Sequence, residues 1–140
     1  MNDWWTAPAE SDDGRLVMVT GRSDVEKFRS NPRYSIRIEV SWTYDESPDA
    51  GMPGDKDAEM MEIATDRFHD ILSKDKAAVM TGIYTGAGCR TWVFYATSTH
   101  IFQKKLNEAF EPLPLLPLRI TAENDPGWEE YDEMRTLEIN

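Results

Sequence analysis

A chain of 140 residues is long enough for one domain that buries about two thirds of the surface its unfolded form exposes. Its 26 aspartates and glutamates against 15 lysines and arginines leave a net charge of −11, a field that repels phosphate backbones and anionic lipid and attracts a basic protein partner. A single cysteine, Cys89, excludes an internal disulfide framework, and no apolar run nears the ~20 residues of a membrane span. With no leader-type pattern at the start, the expected setting is the cytoplasm, with no direct nucleic-acid or membrane contact.

In chain order, "WWTAPAE" and "RLVMVTG" surround "SDDG", whose Asp13–Gly14 step suits the turn of a hairpin. Ser23 and Glu26 then have the spacing of a capping box at the head of a short helix. "RYSIRIEVSWTY" alternates cleanly. Ile36, Ile38, Val40, Trp42 and Tyr44 share one face and Ser35, Arg37, Glu39, Ser41 and Thr43 the other, which predicts a strand with one buried side. "DESPDAGMPGDKD" is rich in turn formers and leads to a helix start near Asp55; over 58–73, Met61, Ala64, Phe68, Ile71 and Leu72 recur at helical spacing.

"AAVMTGIY" and "RTWVFYAT" flank "TGAGC", where Gly86 and Gly88 can take positive φ in a tight hairpin, although both strands put apolar residues on both faces. Ser98 or Thr99 can cap a second helix with Phe102, Leu106, Ala109 and Phe110 on one stripe. "PLPLLP" ends it, and because proline donates nothing to a ladder, the strand "LRITA" that follows is expected at a sheet edge. In "AENDPGWEEYDEM", Asp125 suits an N-cap and Pro126 a first helical position, while Trp128 and Tyr131, three apart, share one side of the helix they begin.

Residues 34–122 therefore read as strand, helix, strand, strand, helix, strand. The expectation is a single α+β domain over 1–140: a ferredoxin-like βαββαβ sandwich with an N-terminal β-hairpin extension and a short C-terminal helix, segments 1–33 and 123–140 acting as covering. With two long helices on one sheet face, the short helix and the N-terminal tryptophans are the candidates to cover the other.

No catalytic constellation stands out. His69 and His100 fall in different helices without ligand-spaced partners, Cys89 adjoins Arg90 but has no histidine near it in sequence, "TGIYTGAG" lacks the lysine of a phosphate loop, and the acidic loop 45–57 lacks calcium-loop spacing. No metal, cofactor or catalytic residue is assigned. Trp42, Trp92 and Phe94 read as core, as do the methionines, including the Met60–Met61 pair.

The segments "DWW", "RYSIRIEVSW", "GMP", "YTGAGCRTWVFY" and "PLRITAENDPGWEEY" together resemble the bacterial domain-of-unknown-function family numbered 695, over nearly the whole chain. The resemblance brings no catalytic residues. It implies that in some relatives this domain precedes one similar to a ribonuclease E inhibitor, an acidic ferredoxin-like regulator.

The leading functional expectation is a non-enzymatic protein-interaction or regulatory module. The alternative is a small-molecule binder or enzyme whose pocket lies between the open sheet face and the terminal segments, with Trp5, Arg37, Glu39, Trp128 and Tyr131 as lining. Both a monomer and a homodimer formed through the uncovered face are compatible with the pattern.

Overall fold

In the computed structural model, residues 4–11, 14–44, 54–75, 77–111 and 118–137 are described. The chain forms β1 (Trp4–Glu10), β2 (Leu16–Arg22), α1 (Glu26–Arg29), β3 (Ile36–Thr43), α2 (Asp55–Asp75), β4 (Ala78–Gly86), β5 (Cys89–Ala96), α3 (Thr99–Phe110), β6 (Leu118–Asn124) and α4 (Glu129–Arg135). All six strands join one antiparallel sheet in the order β1-β2-β4-β5-β3-β6, so the domain is α+β. The sequence "PLPLLP", Asp13 of the first hairpin turn and most of the acidic loop lie outside the described residues. β6 is at the sheet edge, as expected of a strand that follows prolines.

Alternation in β3 decides the core. Ile38, Val40 and Trp42, with Tyr44 just beyond, point to the side occupied by α2 and α3, where Met61, Ala64, Phe68, Leu72, Phe102 and Leu106 complete a cluster. Phe68 sits at its centre, with ring centroids 5.3 Å from Trp92, 5.1 Å from Phe94 and 4.9 Å from Phe110. Trp92 is fully buried, and its indole N–H donates to Thr65 Oγ1 at 2.8 Å, so the polar end of the ring is satisfied inside the core. Ser98 caps α3 through its hydroxyl, which accepts from the Ile101 N–H at 3.3 Å.

The mixed faces of β4 have a physical cause. A bulge between Met80 and Gly82 inserts Thr81 and switches the parity of the strand. Before it Val79 faces away from the two long helices; after it Ile83 faces them and Tyr84 faces away. The turn to β5 places Ala87 and Gly88 at φ 54° and 82°, both positive, the signature of a type I′ connection.

On the second face, Val19, Val25, Tyr34, Val79, Tyr95, Trp128, Tyr131 and Met134 form a separate cluster under α1 and α4. The hairpin β1–β2 lies in the plane of the sheet, paired to β4, and does not fold over a face. Its tryptophans divide by alternation: Trp4 packs against the first cluster and Trp5 against the second. Two register-paired glycines lower the second face. A side-chain carbon on Gly21 would fall 2.2 Å from the Trp5 ring, and one on Gly82 would fall 2.6 Å from Met134 Sδ. α1 opens on Val25 as its N-cap, two residues beyond the expected Ser23, while Asp24 pairs with Arg22 at 2.6 Å.

Candidate functional site

The C-terminal segment is fixed to the sheet by one carboxylate. Asp125, 4% exposed, accepts from the backbone N–H of Glu129 (2.9 Å) and of Glu130 (3.2 Å), from the Tyr95 hydroxyl (2.7 Å) and from Arg37 Nη1 (3.3 Å). Burial would raise its pKa, but these donors outweigh burial and hold the carboxyl below the usual carboxylate range. Asp125 thus caps the helix from one turn upstream. Pro126 and Gly127 occupy that turn, and α4 itself begins at Glu129, three residues later than the sequence pattern suggests.

The intervening Trp128 holds the left-handed backbone conformation, φ 55°, a costly state for a large side chain that its packing over-determines. Its ring stacks on Tyr95 at 4.1 Å and 16°, and its indole N–H donates to the Tyr34 carbonyl at 2.7 Å. Tyr131 donates to the Arg22 carbonyl at 2.7 Å. A seven-residue helix has little intrinsic stability, so these contacts fix where it sits.

Between α4 and the sheet lies a hollow of about 630 Å³. Val17, Val93 and Met134 supply apolar wall, Thr91 and Cys89 weakly polar wall, and Glu10, Glu39, Glu130 and Glu133 acidic groups. Tyr84 donates its hydroxyl to Glu130 Oε1 at 2.5 Å, while the buried Oε2 has no hydrogen-bond partner among the described residues. Burial pushes the Glu130 carboxyl above the usual carboxylate range against the Tyr84 hydrogen bond, which lowers it; burial together with Glu130 raises the Tyr84 phenol as well. Cys89 Sγ is 3.8 Å from the Arg90 carbonyl and from Thr91 Oγ1. His69 and His100 belong to α2 and α3 on the opposite face, so neither serves this thiol as a base. On that opposite face a smaller hollow, about 480 Å³, touches Glu62, Asp66 and His69 of α2; no metal-holding group of three occurs among the described residues.

Of the five residues singled out from sequence, Glu39 lines the larger hollow. Arg37 stands beside it and engages three carboxylates, with Nη2 2.7 Å from Glu123, Nη1 3.3 Å from Asp125 and Nε 3.0 Å from Glu39. The last contact is an ion pair without hydrogen-bond alignment. Trp128 and Tyr131 are 1% and 0% exposed and pack into the second cluster, where they support the wall instead of forming it. Trp5 is half-buried against that cluster, over Gly21. Tyr84, Thr91 and Glu130 are not among the five. Thr91 and Val93 alternate with the core residues Trp92 and Phe94, so a face assignment for β5 would have found Thr91, and Glu130 lies four residues before Met134 on one side of α4; the bulge in β4 hides Tyr84.

The fold and hollow define the class: an α+β domain with a six-stranded antiparallel sheet, helices on both faces, and a pocket under a C-terminal helix locked by one buried aspartate. The chain belongs to a family of unknown function, DUF695, whose profile matches residues 2–134. No curated protein and no solved structure matches it. No helix among the described residues is long and apolar enough to cross a membrane.

Proposed function

We propose that the protein is a non-enzymatic ligand-binding module of the cytoplasm, and that the hollow beneath α4 takes a small molecule with a compact apolar body and a protonated nitrogen. The observation that carries this reading is the hollow itself: a volume within the range of small-molecule sites, apolar walls, and four carboxylates converging on it. The buried Glu130 oxygen without a partner is a group that a ligand donor would satisfy. We also read β3 to β6 with α2 and α3 as a ferredoxin-like core, a reading supported by the strand order β6-β3-β5-β4 and by antiparallel pairing throughout.

A thermal-shift screen of small amines against carboxylic acids of matched shape tests the ligand reading. An amine present at a hundred times its Kd stabilises the fold by about 2.7 kcal/mol, roughly 8 °C for a chain of this size. Thr91→Trp, which fills the hollow, should abolish that shift. Equal shifts from amines and acids, or an amine shift that persists in Thr91→Trp, would remove the hollow from the explanation.

A second reading, a protein-interaction or regulatory platform, draws on the net charge of −11, which favours a basic partner. Capture of a basic protein at low ionic strength and its release at high salt would support it; capture that is indifferent to salt would count against it.

A further inference from the structure

We propose that the protein forms a two-fold symmetric homodimer by antiparallel pairing of β6 with β6 of a second copy, giving one continuous sheet. Of the two sheet edges, β1 carries Pro8, which blunts strand addition; β6 carries no proline between Leu118 and Asn124. β6 pairs with β3 on its inner side, and residues 119–124 are all exposed, including Ile120 at 38%.

The occupant follows from the strand's own order of side chains. A two-fold axis through Thr121 sets Arg119 opposite Glu123 of the second copy, twice, and Ile120 opposite Ala122, twice. By the register with β3, Arg119 and Glu123 share the face of Arg37, and Leu118, Ile120 and Ala122 share the face of Val40. One side of the junction therefore gains two opposite-charge pairs and the other a continuous apolar strip. Arg119 makes no ion pair among the described residues, and its exposed partner-to-be, Glu123, uses one carboxylate oxygen on Arg37. In a chain of charge −11 this strand is charge-balanced, which lets two acidic molecules meet there without placing like charges opposite one another. No residue of β6 lines the hollow beneath α4, so the pairing stands whether or not that hollow binds an amine.

Light scattering and sedimentation of the full chain from about 1 to 200 µM test the pairing. The wild-type chain should show a concentration-dependent doubling of mass. Arg119→Glu and Glu123→Arg should each be monomeric with unchanged circular dichroism, because both positions are exposed. An equimolar mixture of the two variants should regain the doubled mass, since in the mixed pair every position 119 again faces a position 123 of opposite charge. A wild-type chain that stays monomeric overturns the proposal and leaves the edge to an extended segment of another protein. A dimer that survives Arg119→Glu, or a mixture that fails to dimerise, overturns it equally.

Discussion

Replacing Asp125 with alanine tests whether one carboxylate holds the C-terminal helix to the sheet. The substitution removes the acceptor for two helix N–H groups, a capping loss of about 1 kcal/mol. It also strips the acceptor from the hydroxyl of Tyr95, which is 0% exposed, adding about 1 to 2 kcal/mol. Arg37 keeps Glu39 and Glu123, so its share is less than about 1 kcal/mol. The expected loss is about 3 kcal/mol, a large part of the ~5–15 kcal/mol that a domain typically has. Urea unfolding followed by tryptophan fluorescence measures it, with Glu123→Ala as control. Glu123 contacts the same arginine, yet its side chain is 69% exposed, so the control should lose less than about 0.5 kcal/mol. If the two variants unfold within error of each other, the anchoring role of Asp125 is wrong.

The same residue makes a pH prediction. Because its folded-state pKa lies below its unfolded value, the stability it contributes is fully present above the ordinary carboxylate value of about 3.9 and is lost as pH falls through the folded value. The stability gap between the wild-type chain and Asp125→Asn should therefore be constant near neutrality and shrink below about pH 4.

Glu130 has the opposite sign: its folded pKa is raised, so the wild-type chain loses stability as pH rises from the ordinary carboxylate range through the folded value. Glu130→Gln should gain relative to wild type over that window, and a pH-independent difference in melting temperature would show that burial of this charge is not felt. Gly86→Ala places a side-chain carbon 2.3 Å from the Leu16 carbonyl oxygen at φ 151°, and should cost about 2 to 4 kcal/mol in a denaturant melt; a loss below about 0.5 kcal/mol would refute the close approach of β2 and β4 there. Gly21→Ala collides with the Trp5 ring and should destabilise by about 1 to 3 kcal/mol. In Trp5→Ala the same glycine change should cost almost nothing, and additivity in that double-mutant cycle would exclude the contact.

What the residues made legible was whatever a single period could express. The alternation of β3, the helical stripes of α2 and α3, the Gly86–Gly88 turn and the edge position after the prolines all follow from local rules, and each is present. The bulge at Thr81 was not legible, because one inserted residue changes the parity of β4 and makes its apolar residues read as two-sided. The same shift hid Tyr84 from any list of residues on the pocket face. The start of α4 was misplaced for a different reason: Asp125-Pro126 matches a helix opening, whereas the carboxylate spans a whole turn before it reaches the helix N–H groups. The pocket alternative takes Trp128 and Tyr131 as lining, yet Trp128 stacks on Tyr95 and Tyr131 packs edge-on against Trp128, both buried outside the hollow, which makes them support.

The division between support and lining has a consequence for the pocket. Met134 and Glu130 enter the hollow from a seven-residue helix that has no stable position of its own, and that position is set by Asp125, Trp128 and Tyr131, none of which lines the hollow. Weakening the anchor should therefore lower ligand affinity without removing a ligand contact. Asp125→Asn, which retains hydrogen-bonding capacity but loses the charge, should bind an amine more weakly than the wild-type chain under conditions where both are folded. Glu123→Ala should bind as the wild-type chain does, since it leaves the helix anchor intact. Isothermal titration separates the cases: equal affinity in Asp125→Asn and the wild-type chain would mean that the helix keeps its place by packing alone, and that the aspartate matters to stability but not to the site.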